Sequence, residues 1–243
     1  SQTLAERMAR CHTPGASIAV IDGFDLAWAA GFGLLRAGAA EPVTPSTPFQ
    51  AASISKPVFA LAVMRLVQEG VLDLDRDVND YLTSWRVPAN DGWQPCVTLR
   101  HLLSHCAGMT VDGFPGYTPA EPVPTLLQVL DGTPPANTAP IRVNVLPGLS
   151  YRYSGGGTTV AQQAVVDHVG LPFPQLMREL VLEPLGMNDS TFEQPPPAAW
   201  AGRLATGHPW KSRPLPGGHH VYPEMAAAGL WTTAGDLAKV GLD

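Results

Sequence analysis

Between Ser53 and Gly70 the chain reads SISKPVFALAVMRLVQEG, a segment apolar on nearly every side of a helical projection. A helix of that kind cannot keep one face in water, so it predicts an element buried at the centre of the molecule, with Gly70 as its stop. Its most apolar part, Val58 to Val67, is interrupted by Arg65 and is far too short to span a bilayer. Other elements must therefore pack around this helix, and its polar exceptions, Ser53 and Lys56, sit at its start.

Those other elements can be read from local signals. Residues 1–13 predict a short helix ended by Pro14-Gly15. Ala16 to Ile21 predicts a buried strand, Asp22-Gly23 a turn, and Leu26 to Leu35 a hairpin partner. Helices are expected over 99–104, 125–130, 158–169 and 173–182. Two Pro-rich tracts, 112–147 and 194–223, carry turn signals without sustained periodicity, and their interspersed aromatic residues predict ordered loops rimming a cleft. The class is α+β: residues 1–57 begin a sheet region, 58–220 form a mainly helical region, and 221–243 return towards the sheet.

With 243 residues, 45% of them hydrophobic, the chain can bury a real core. A net charge of -6 with scattered Lys and Arg leaves no basic stripe for a nucleic acid. The chain opens at Ser1 with no basic-then-apolar leader, which fits a periplasmic or secreted protein whose signal peptide was removed, or a cytoplasmic one that never had one. Cys11, Cys96 and Cys106 are odd in number and fit no paired metal spacing; buried free thiols are the expectation, with one disulfide the alternative.

Ser53-Ile54-Ser55-Lys56 is the only Ser-x-x-Lys in the chain. At i and i+3 the two side chains share a helical face, and the helix N-terminus would favour an oxyanion formed at Ser53. Lysine is used sparingly, at 56, 211 and 239 against twelve arginines. Inside an apolar helix a desolvated lysine can lose its proton and act as a base, as arginine cannot. A snorkelling lysine at a helix end is the bland alternative. A second element, Tyr151-Arg152-Tyr153-Ser154-Gly155, follows the Pro147-Gly148 turn. A tyrosine there could face the Ser-Lys pair, where a neighbouring ammonium would lower its pKa and let it pass protons.

Three further strings accompany these: Thr98-Leu99-Arg100-His101-Leu102-Leu103-Ser104-His105 with Gly108, Leu182-Glu183-Pro184-Leu185-Gly186-Met187, and Ala228-Gly229-Leu230-Trp231-Thr232-Thr233 before Asp236-Leu237-Ala238. Together with the Ser-x-x-Lys they resemble, in family order, the serine β-lactamase and penicillin-binding-protein-like superfamily, on its class C β-lactamase, D-amino-acid peptidase and family VIII carboxylesterase branch. The resemblance implies a β-lactamase/transpeptidase-like fold with Ser53 as nucleophile, Lys56 as its activating partner and Tyr153 as the tyrosine of the Tyr-x-Asn element. Gly155 stands at the substrate-contacting Asn of that element, which favours an esterase or peptidase relative over a β-lactamase. The family's third motif, a Lys/His-Thr/Gly-Gly strand, does not occur before Asp243. The expectation is a fragment or one piece of a split protein, with the C-terminal sheet strands missing and a second chain as a partner that could supply them.

Competing readings are weaker. His101 and His105 have helical i, i+4 spacing beside Cys106, yet no carboxylate stands at a metal-like spacing. His219-His220 lies in a Pro/Gly loop and is expected to be solvated. Gly155-Gly156-Gly157 lacks the lysine of a phosphate loop, and no Gly-x-Ser-x-Gly elbow is present. The sequence thus predicts a serine hydrolase working through an acyl-enzyme on a small ester, β-lactam or D-amino-acid peptide. No metal or organic cofactor is implied. A penicillin-binding sensor that does not turn over and an inactive fragment stand as alternatives.

Overall fold

The computed structural model describes residues 2–209 and 213–242; positions 210–212 of the second Pro-rich tract lie outside them. The first helix, α1 (Leu4–Arg10), starts at a capping box in which Thr3 accepts from the Glu6 N–H and Glu6 accepts from the Thr3 N–H. Strands β1 (Gly15–Asp22) and β2 (Asp25–Gly33) form the expected antiparallel hairpin, paired from Gly15↔Gly33 to Asp22↔Asp25 with a register shift between Val20 and Ile21. Two further strands are short: β3 (Phe49–Gln50) pairs with β4 (Trp231–Thr232). Strand β1 is only half-buried, not buried as predicted. Helix α8 (Ala234–Val240) packs on it, while Ile21, Leu26 and Trp28 stay exposed.

The central segment divides in two. A 3-10 turn, Ala52–Ile54, precedes α2 (Ser55–Gln68), so Ser53 lies in the turn rather than in the helix. Gly70 does stop the helix: at φ +72° it takes the left-handed conformation that lets Val71 N–H reach back to the Leu66 carbonyl. Burial is one-sided. Val58, Phe59, Ala62, Val63 and Leu66 are buried, whereas Met64 and Arg65 are exposed. The outer face lines a groove of about 850 Å³ with Leu180, Val181, Pro184 and Leu185. Apolarity on all sides was thus read too strongly: Arg65 donates to the Leu180 carbonyl and pairs with Glu69 at the rim of this groove.

Helices α3 (Leu99–Leu103), α4 (Leu126–Asp131), α5 (Gly155–Val169) and α6 (Phe173–Met177) fall close to the predicted spans. The last runs into a π turn over Arg178–Leu182. The four-residue α7 (Met225–Ala228), like α8, was not anticipated. Phe59, Leu102, Met109, Val160, Phe173, Met177 and Phe192 share one core, closed from the other side by Ala226 and Leu230. The Pro-rich tracts are tied together by the bridge between Tyr117 and Val221, each backbone donating to the other.

Helix α5 begins three residues earlier than predicted, so the three glycines form its first turn. Ser154 caps them by accepting from the Gly157 N–H while its hydroxyl donates to the Thr110 carbonyl. A Cβ at Gly156 would lie 2.6 Å from that same carbonyl oxygen, so the absence of a side chain is what admits the close approach. All three cysteines are free as expected, but Cys11 and Cys96 are exposed and Cys106 half-buried, because each lies in a turn or loop rather than in the core. His219 is also not solvated as predicted: its Nε2 is buried and its ring meets Trp231 edge-on, centroids 5.4 Å apart. No helix among the described residues is long and apolar enough to cross a membrane.

Candidate active site

The turn that carries Ser53 is held from both flanks by a single distant segment. Ala51 N–H donates to the Leu230 carbonyl at 2.9 Å, and Leu230 N–H donates to Ser55 Oγ at 3.0 Å. Ser55, fully buried, donates its hydroxyl to the Ala52 carbonyl at 2.5 Å. Between these anchors Ala52 adopts φ +46°, a conformation that costs an L-residue free energy and persists only where its surroundings fix it. The result presents Ser53 at the surface with its hydroxyl turned towards Lys56 and Tyr153.

Lys56, in the first turn of α2, places Nζ 3.1 Å from Ser53 Oγ and 2.9 Å from the Ala227 carbonyl at the C-terminal end of α7. Tyr153, in the loop before α5, donates its phenol to the same Oγ at 2.9 Å. Its ring lies 5.0 Å from Lys56 Nζ. Ser53, Lys56 and Tyr153 are therefore brought together, with the serine oxygen as their shared acceptor. The lysine is half-buried rather than fully desolvated as the sequence suggested, and it acts as a donor in both bonds.

Electrostatics favour loss of the tyrosine proton. Burial alone would raise the Tyr153 pKa, but its contacts with Lys56 and Ser53 and the lysine's positive charge outweigh that and hold it below the ordinary phenol value. Asp112 opposes the shift weakly. Gly155 is buried one step further on, its N–H committed to the Asp112 carbonyl at 3.0 Å. A Cβ there would stand 3.1 Å from that oxygen and from the Phe114 ring, so the position is governed by packing of the α5 N-terminus.

Among the neighbouring residues, His101 and His105 were noted in the sequence only as an i, i+4 pair, and Glu224 was not noted at all. His101 serves its own helix, its Nδ1 accepting from the Thr98 N–H. His105 lies against Tyr153 with ring centroids 4.4 Å apart. Glu224, at the start of α7, is fully buried, and neither carboxylate oxygen has a hydrogen-bond partner of normal geometry among the described residues. Burial pushes its pKa up to about 7, only slightly offset by its own backbone N–H. The surroundings of His105 and Glu224 were not accessible from spacing, because they join segments far apart in the chain, whereas the His101 bond is local. No cluster of three or more metal-ligating side chains occurs among the described residues.

Known proteins resemble this chain over most of its length. The chain is 32% identical over 237 residues to esterase EstB of Burkholderia gladioli, covering 85% of this chain and 59% of that protein. The octameric penicillin-binding protein homologue of Pyrococcus abyssi superimposes with a TM-score of 0.78 at 29% identity, over 98% of this chain and 54% of that one. EstCE1, described as a hydrolase with promiscuous acyltransferase activity, superimposes with a TM-score of 0.74 at 26% identity, over 93% of this chain and 66% of that one. This chain thus spans between about half and two thirds of the length of these proteins. The fold is β-lactamase/transpeptidase-like. The Beta-lactamase family model matches residues 1–243, and the chain belongs to that family.

Proposed function

We propose that this chain carries the acylation site of a serine hydrolase that opens small carboxylic esters, with amides, β-lactams among them, as the less favoured substrates. The observation that carries the reading is the convergence of Lys56 Nζ and Tyr153 OH on Ser53 Oγ, at 3.1 and 2.9 Å. Ester preference is supported by the likeness to esterase EstB and by Gly155, which presents no side-chain amide to a substrate.

In this scheme Tyr153, as phenolate beside the Lys56 ammonium, takes the proton from Ser53 as Oγ bonds to the carbonyl carbon. The tetrahedral oxyanion collapses, and the departing alcohol leaves with the proton held by Tyr153. Water then adds to the acyl-serine, again giving its proton to Tyr153, and collapse returns the proton to Ser53 as the acid is released. Lys56, donating to Ser53 Oγ, lies beside the serine oxygen and the phenol between which the proton moves.

Intact-mass measurement after incubation with a fluorophosphonate and, separately, a penicillin, with peptide mapping, tests the reading. A single adduct on the Ser53 peptide is expected from the fluorophosphonate. An adduct elsewhere, or none, would reject it, and a penicillin adduct that persists would mark a sensor in place of an enzyme. Tyr153→Phe is expected to slow labelling by about 10²- to 10⁴-fold, the range typical of removing a positioned acid–base group. Because the Tyr153 side chain is 37% exposed, its melting temperature should stay near that of the parent. The parent's labelling rate should rise with pH towards the lowered Tyr153 pKa, and the phenylalanine variant should lack that rise.

A further inference from the structure

His105 follows α3 in a left-handed conformation, φ +58°, where histidine and asparagine are tolerated better than most residues. Two bonds fasten it to the strand of chain that carries the catalytic tyrosine. Its carbonyl accepts from the Arg152 N–H at 2.7 Å, and its ring Nδ1 accepts from the Ser154 N–H at 3.2 Å. The residue between those two donors is Tyr153, and the imidazole covers its ring at 4.4 Å with 37° between the planes. Tyr151 meets the imidazole edge-on at 6.0 Å. The tyrosine is thus pinned before, after and across its own face by one residue.

We propose that His105 is the positioning residue that holds the Tyr153 phenol on Ser53 Oγ, and that its protonation releases the tyrosine and closes the site at acid pH. This rests on the acyl-transfer reading above. The physical reason lies in the single acceptor: only the neutral ring, with its proton on Nε2, has a lone pair on Nδ1 for the Ser154 N–H. A second proton would set two donors against each other and place a cation facing Lys56. The titratable groups that face the ring are Lys56 from α2 and Tyr151 and Tyr153 from the loop before α5, with the Asp112 carboxylate within electrostatic reach of Tyr153. Burial, then the Lys56 charge, push the His105 pKa below the ordinary histidine value, and the Ser154 N–H, which only the neutral ring can accept, acts in the same direction. The fold therefore favours the neutral ring, and protonation begins only as pH falls below that of a free histidine.

Three measurements on the whole chain test this. First, His105→Ala is expected to slow fluorophosphonate labelling of Ser53 by up to about 10²-fold, as small misplacements of catalytic groups do. Second, His105→Asn, whose Oδ1 can take the place of Nδ1 and which suits the left-handed turn, should recover most of that rate. It should keep the rise set by Tyr153 but lack the parent's additional fall below the ordinary histidine pKa, because an amide does not titrate. Third, nitrogen-15 spectra of the parent should show the Nε2–H tautomer at neutral pH, with the Ser154 amide shifting as His105 titrates below its ordinary value. Equal rates and equal acid limbs in the parent and in a folded His105→Ala would overturn the proposal, as would His105→Asn behaving like Ala. A His105 that titrates without moving the Ser154 amide would overturn it even in a chain that is never acylated at Ser53, so its failure is separable from that of the hydrolase reading.

Discussion

Ser53→Ala is expected to cut labelling and ester hydrolysis by about 10⁴-fold or more, the loss seen when a nucleophile is removed from an acyl-transfer site, with the fold unchanged. The serine is exposed, and its hydroxyl is the acceptor of two donors that water can satisfy instead. Its removal should therefore move stability by no more than about 0.5 kcal/mol, as at ordinary surface positions. Ser55, two residues on, is the internal control. Its buried oxygen both donates to Ala52 and accepts from Leu230, so Ser55→Ala should lower the melting temperature, by an amount equivalent to about 1–3 kcal/mol. Hydrolysis measured by ester absorbance beside thermal melts separates the two serines. Full activity in Ser53→Ala would end the assignment of this serine.

Glu224→Gln is expected to stabilise the chain at pH 8 by about 3 kcal/mol, and to change it little at pH 5. The sign follows from the proton count. The folded state holds the Glu224 proton up to about pH 7, whereas in the unfolded chain the carboxyl ionises at its ordinary value near 4.5. Between those pH values the native state binds more protons, so stability falls as pH rises through that window and levels off above it. A glutamine cannot ionise and is spared the loss. Urea midpoints at the two pH values check this, and a difference between variant and parent that does not depend on pH would refute it.

What the sequence disclosed follows the range of the interactions involved. Ser53 and Lys56 were legible because i, i+3 spacing fixes their proximity in a 3-10 turn as well as in an α-helix. The hairpin was legible from its Asp22-Gly23 signal and flanking apolar runs. Tyr153 came from resemblance, since no local rule brings a loop residue onto a serine in another element. The first turn of α5 was misread because three glycines disfavour a helix in isolation, and here a tertiary approach to the Thr110 carbonyl requires them. His105 and Glu224 were invisible for the same reason. One is defined by a ring contact across segments, and the other by burial of a carboxylate, which runs against every compositional expectation.

The anchoring of the Ser53 turn also sets when the site can exist during synthesis. The amide and carbonyl of Leu230 that flank the serine, and the Ala227 carbonyl that receives Lys56, belong to residues made more than 170 positions later. Such long-range pairings form late, after loop closure has been met by other contacts. A nascent chain emerging from the ribosome can therefore fold α2 early, but its serine stays unarmed until the segment around Leu230 has been translated and docked.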